Sequence, residues 1–209
     1  MHARSPAAFA LTRATHRAPA PAPPTMTSSA DCPFCDIAAH TPASATPAAA
    51  SGAHVVLATP AVLAFLDILP LAPAHLLVVP RAHAATLDGL APAAGAALGA
   101  WLPVLARAVA RVSGCEDFNV VQNNGAGAAQ VVPHVHFHII PRPDERMREA
   151  LEAAVPDEHK RLFRSKFGIG WRNELDDDEG RVIAERLRAE VAKEVEAAAD
   201  ADKMVLGKL

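Results

Sequence analysis

Aromatic residues make up only 4% of the 209 positions, although 51% of the chain is hydrophobic, much of it alanine. Three cysteines, Cys32, Cys35 and Cys115, are too few for a disulfide framework. A formal net charge of −3 argues against a polyanionic partner held on a broad basic surface. No apolar run approaches the roughly 20 residues that a membrane-spanning helix needs. These absences point to a soluble, intracellular protein with neither nucleic acid nor membrane as partner. The 209 residues suffice for one domain with a real core, or for a domain with extensions.

The first 30 residues carry Arg4, Arg13 and Arg17 and no acid. They read as a mitochondrial transit peptide, as a Pro/Ala-rich disordered tail, or as untranslated sequence ahead of a start at Met26. The expected location is the cytoplasm, with the nucleus as a second site, or the mitochondrion if residues 1–25 are a translated transit peptide. A second low-complexity stretch, residues 40–53, reads as a flexible loop.

Short apolar runs follow at 54–58, 62–67 and 75–80, the first two forming a hairpin about Thr59-Pro60. Residues 91–113 read as a helix, with Leu98, Trp101, Leu102, Leu105, Val109 and Val112 near helical spacing. Pro92 suits its first turn, and Pro103 in its middle predicts a kink. Strands are expected at 118–123 and 134–140, joined by the loop NGAGAAQVVP. The pattern is an α+β domain over 31–142: an antiparallel sheet of about five strands and one main helix. Residues 143–209 form a helical C-terminal extension, with Ile183, Leu187, Val191 and Val195 as a narrow apolar stripe over 175–198.

Residues 134–140 read HVHFHII. Side chains alternate faces along a strand, so His134, His136 and His138 share one face and Val135, Phe137 and Ile139 the other. Imidazoles attack phosphorus, bind metal or steady phosphate charge, and three of them can divide those roles. Cys32 and Cys35, in DCPFC, have the spacing of a zinc pair, with His75, His83 and the three-histidine set as candidate further ligands. The same four residues also suit a glutaredoxin-like redox dithiol, and a metal site made of all three histidines stands as a further alternative. In QNNGAGAAQ, Gly125 and Gly127 free the backbone to approach a ligand and cradle phosphate.

Together these residues resemble the histidine triad family of nucleotide hydrolases and transferases, whose signature is His-φ-His-φ-His-φ-φ with φ apolar. DCPFCDI, AFLDILPLAPAHLLVVPRAH and NNGAGAAQVVP resemble the family in the same order, from about Asp31 to Arg142. The resemblance implies a histidine-triad-type α+β fold, a homodimer with helix 91–113 at its interface, and a purine nucleotide bound across the histidine strand. It implies a hydrolase of nucleoside 5′-phosphoramidates such as adenosine monophosphoramidate, working through a nucleotidyl-histidine. The alternatives are a dinucleoside polyphosphate hydrolase and a non-catalytic purine-nucleotide-binding module.

Carried over by residue, the resemblance makes His136 the nucleophile and sets His138 and His75 on the phosphate oxygens. Asn123 and Gln130 bond the phosphate or leaving group, Asp67 the ribose, and Ile37 and Leu66 flank the base. A structural zinc falls on Cys32, Cys35, His83 and His134. Two departures stand out: Val131 where many members carry Ser or Thr, and Ala129 where glycine is frequent. FGIGWRNELDDDEG resembles extensions on fungal members, with Trp171 or Arg172 expected to reach the active site.

Overall fold

Apolar residues flanking Thr59-Pro60 form strands β1 (Val55–Ala58) and β2 (Val62–Leu66). The Thr59 hydroxyl accepts the Val62 N–H at 2.9 Å and closes the hairpin. Strand β3 (Leu76–Pro80) pairs with β2, β5 (Phe137–Arg142) with β3, and β4 (Asp117–Gln122) with β5, every pairing antiparallel. The sheet order is β1-β2-β3-β5-β4. This computed structural model describes residues 31–44, 53–153 and 174–206. The readings of residues 1–30 and of Trp171 and Arg172 lie outside them.

The two-residue period of the strands sorts the sheet into two unlike faces. Val56, Val62, Ala64, Leu66, Leu76, Val78, Val135 and Ile139 turn toward helices α2 (Pro92–Ser113) and α4 (Asp177–Leu206). Val55, Ala58, Leu63, Phe65, Leu77 and Val79 turn the other way, where Cys32 and Phe34 cover them from helix α1 (Pro33–His40). Helix α1 lies ahead of the expected loop at 40–53, in a segment the sequence left without an element. Pro33 sits in its first turn, where a missing N–H costs nothing. Arg81, just past β3, donates to the carbonyls of Ala38 (2.9 Å) and Thr41 (2.7 Å) and so ties down its other end.

Within the C-terminal extension, helix α4 is part of the core rather than an appendage. Ile183, Ala184, Leu187 and Val191 join Leu98, Leu105 and Val109 in one apolar cluster, whereas Val195 is 43% exposed, so the expected stripe is one residue shorter. Arg107 and Arg111 pair with the buried Glu194, and the Arg107 hydrogen bond leads in holding its carboxyl below the usual range. Helix α2 runs unbroken through the exposed Pro103. Against the expectation that no segment qualifies, α2 has the length (22 residues) and hydropathy (mean 1.5) of a membrane span. Its buried Leu98, Leu105, Ala106, Ala108 and Val109 mark it instead as the helix on which this core is built. A short helix α3 (Glu145–Ala153) follows β5.

Strand β5 starts at Phe137, three residues later than the histidine pattern suggested. The alternation still holds: Val135 and Ile139 are fully buried on the helical face, and His138 pairs with Leu77 on the other. In the preceding loop only Gly125 has a backbone that requires glycine (φ 78°), and Gly127 does not. Ala129 takes the second left-handed position (φ 62°), a conformation that costs a non-glycine residue about 1 kcal/mol.

Candidate functional site

The loop from β4 to β5 lays the histidines against α1. Gln130 organises it: its Oε1 accepts the Gly125 N–H (2.6 Å), and its Nε2 donates to the carbonyls of Ala85 (2.7 Å) and Val132 (3.0 Å). Both amide protons are thereby used. This corrects the expected role of Gln130 as a phosphate or leaving-group ligand, because the side chain braces the loop. Asn123 is half-buried where β4 ends and the loop begins.

Hydrogen-bond partners fix the proton on three of the site's imidazoles, because a carbonyl only accepts and a backbone N–H only donates. His134 Nε2 lies 2.8 Å from the Pro80 carbonyl, so it carries the proton and Nδ1 keeps its lone pair. His136 Nδ1 lies 2.6 Å from the His134 carbonyl, so Nδ1 is protonated and Nε2 holds the lone pair. His75 Nδ1 accepts the Leu71 N–H at 3.1 Å, so its proton is on Nε2, 3.0 Å from His138 Nδ1. His138 therefore accepts at Nδ1 and presents an N–H at Nε2.

Two groups of donors result. In the first, Cys32 Sγ and Cys35 Sγ lie 3.4 and 3.6 Å from His134 Nδ1, and Cys35 Sγ lies 3.3 Å from His83 Nδ1. All four ligand atoms fall within 4.8 Å of one another. A tetrahedral centre with bonds of about 2.3 Å to sulfur and 2.0 Å to nitrogen has S···N edges of about 3.5 Å, which these spacings meet. Burial, then the neighbouring Cys32 thiol, push the Cys35 thiol up to about 11. Burial lowers the pKa of His134 and keeps it neutral, as a ligand must be. The Pro80 carbonyl is the outer partner that aims it. This donor set fits a four-coordinate metal better than a dithiol redox pair, since each sulfur already faces an imidazole.

In the second group, His75, His138 and Asp67 converge. Asp67 Oδ2 lies 3.5 Å from His75 Nδ1 and 3.9 Å from His138 Nδ1, and its Oδ1 accepts the Leu69 N–H at 2.9 Å. The rings of His136 and His138 meet edge to face, with centroids 4.9 Å apart. Phe34, an aromatic inside the Cys-x-x-Cys motif that the sequence reading passed over, packs edge-on against His136 (5.3 Å), His134 (5.7 Å) and Phe65 (5.3 Å). It walls the three-histidine set, and its only signal in the sequence was its place between two candidate ligands.

Ile37 is half-buried on the same side of the sheet as Phe34. Leu66 is buried in the main core beneath the helices. The two lie on opposite faces of β2, so they do not flank one base, and the expectation for Leu66 is corrected by the strand's period. Val131 is 86% exposed beside the loop.

Residues 49–145 match the HIT domain. The chain is 49% identical over 83 residues to adenosine 5′-monophosphoramidase hnt1 of Schizosaccharomyces pombe, covering 40% of this chain and 59% of that protein. The chain thus spans less than two thirds of the length of that relative. Adenosine 5′-monophosphoramidase HNT1 of Candida albicans is 35% identical over 137 residues, covering 62% of this chain and 76% of that protein. Among solved structures, a Zn-bound histidine triad family protein from Mycobacterium smegmatis aligns with a TM-score of 0.58 at 26% identity, covering 81% of this chain and 99% of that one.

Proposed function

Because the chain belongs to the histidine triad family, we propose that it hydrolyses nucleoside 5′-phosphoramidates, adenosine monophosphoramidate among them, through a nucleotidyl-histidine intermediate. The observation that carries this reading is the proton on His136. Its Nδ1–H is spent on the His134 carbonyl, so Nε2 keeps the lone pair a nucleophile needs, beside two further imidazoles.

In the first step Nε2 bonds to the α-phosphorus as the phosphorus–nitrogen bond to the leaving amine breaks, and the amine departs after taking up a proton. Val131 brings no hydroxyl to assist that transfer. The His138 Nε2–H, backed by His75, steadies the charge that develops on the phosphate oxygens. Water then cleaves the phosphorus–His136 bond, releases the mononucleotide and restores the lone pair. In this reading Asp67 would receive the ribose, and Asn123 the phosphate or the leaving group.

A structural zinc would be held by Cys32, Cys35, His83 and His134, and supplies a four-way anchor between α1, the segment after β3 and the histidine strand. Its benefit to the reaction is indirect: the residue that binds it, His134, also offers the carbonyl that orients His136. A homodimer with α2 at its interface is the expected assembly, and the edge of the sheet adds a second candidate contact. Strand β4 lies at the sheet's edge with Phe118 and Val120 40% and 44% exposed, an edge that a second copy's β4 would continue.

The decisive experiment is turnover of adenosine monophosphoramidate and of diadenosine triphosphate by wild type and His136→Ala. We expect the phosphoramidate to be cleaved by wild type and the variant to lose about 10³-fold or more in kcat while still binding AMP. Cleavage of the dinucleotide alone would move the substrate class and keep the mechanism. An active His136→Ala would sink the nucleophile assignment.

A further inference from the structure

The turn between β2 and β3 carries Asp67 at its start and ends on His75; Ala72 and Ala74 are buried near its end, but the side chains that follow Asp67 are not. Ile68 and Leu69 are 60% and 42% exposed. The turn is instead held through its backbone. At one end Leu66 N–H donates to the His54 carbonyl (3.1 Å) and Asp67 N–H to the His75 carbonyl (3.0 Å). On its outer side the Ile68 carbonyl accepts the N–H of Leu175 at 2.8 Å, a bond from a residue more than a hundred positions away. The next two backbone donors of the turn serve the site directly, Leu69 N–H on Asp67 Oδ1 and Leu71 N–H on His75 Nδ1.

Leu175 is itself firmly seated. Its side chain packs on the main core, and Asp176 caps α4 by accepting the Glu179 N–H at 3.0 Å. One turn later Gly180 lies so close to the His54 ring that a Cβ there would overlap it, and His54 Nε2 lies 3.3 Å from Asp177 Oδ1. His54 is the residue whose carbonyl holds Leu66. The start of α4 thus grips both sides of Asp67.

We infer that Leu175 and the first turns of α4 are a positioning element for the catalytic site, splinting the Asp67–His75 turn so that the Leu71 N–H keeps the His75 proton on Nε2 and His138 presents its N–H outward. The chemistry served is that of the preceding section; the splint itself rests on the hydrogen bonds alone. Leu175 touches no reacting atom and acts through the turn.

The test is Leu175→Pro in the full chain, which removes the donor to Ile68, read by 15N spectra of the histidine rings and by kcat and KM. With the fold intact, His75 is expected to change from one tautomer to a mixture. kcat is expected to fall about tenfold to a hundredfold, the scale of a small misplacement in a catalytic site. KM should change less. Leu175→Met, which keeps both the N–H and an apolar side chain, restores the single-tautomer spectrum. If Leu175→Pro does not fold, Gly180→Ala carries the same test, because its methyl group overlaps the His54 ring and breaks the seat between α4 and His54 while every residue of the turn stays. A folded variant with the wild-type His75 spectrum and kcat overturns the inference. If wild type cleaves neither substrate, the hydrolase reading fails, and the His75 spectrum still decides the splint.

Discussion

On one face of the sheet, α2 and α4 bury Leu98, Leu105, Ala108, Val109, Ala184 and Leu187 against Val62, Leu76 and Val78, an apolar contact with no direction of its own. On the other face, α1 brings little more than Phe34 and Cys32, and the space is taken by histidine rings whose every nitrogen matters. The first face tolerates any close-packed set of side chains of the right volume. The second is built from single hydrogen bonds and ligand contacts, each with one correct proton. Apolar packing is therefore concentrated on the helical face and chemistry on the histidine face. The two meet in the Asp67–His75 turn, which the helical side splints and the histidine side uses.

That division can be tested from each side. Cys32→Ala addresses the histidine face and has the largest expected effect on stability. With free zinc a thousandfold above its dissociation constant, loss of the site removes about 4 kcal/mol. The variant should bind no zinc and melt well below wild type while keeping most of its turnover per folded molecule. Equal melting of wild type with and without a chelator would remove the zinc proposal.

Leu105→Ala cuts a fully buried side chain from the helical face and should cost about 3 kcal/mol through lost burial and the cavity left behind. Zinc content, measured by metal analysis of the folded protein, should not change. A variant that also loses its metal would show that the faces are not independent. Smallest in stability is Val120→Arg on the sheet edge, where the side chain is 44% exposed, and it should move unfolding of the subunit by no more than about 0.5 kcal/mol. Sedimentation should show it shifted from dimer to monomer, and an unchanged dimer would place the interface elsewhere.

Much of this was legible because it depends on local period and chemistry. The apolar runs about Thr59-Pro60 gave the hairpin, the α2 pattern survived Pro103, and the alternation from His134 to Ile139 separated core from site even though β5 begins only at Phe137. What could not be read depends on where distant backbone groups lie. Gln130 reads as a ligand because amides bind phosphate, and only the folded loop shows both its protons spent on carbonyls. Leu66 reads as a base contact beside Asp67, but the parity of β2 turns it into the core. Helix α1, at eight residues, is too short for a helical period to stand out in the sequence.

The sequence by itself determined the donor set: two cysteines with two residues between them, three alternating histidines, and two more histidines about the β3 run, residue types that bind metal and attack phosphorus wherever they are gathered. The tertiary structure decided which nitrogen of each imidazole holds the proton. That choice is made by a carbonyl or an N–H from elsewhere in the fold, Pro80 for His134, the His134 carbonyl for His136 and Leu71 for His75. A list of residues carries no information about such directions, because a hydrogen bond is a fact about positions in space.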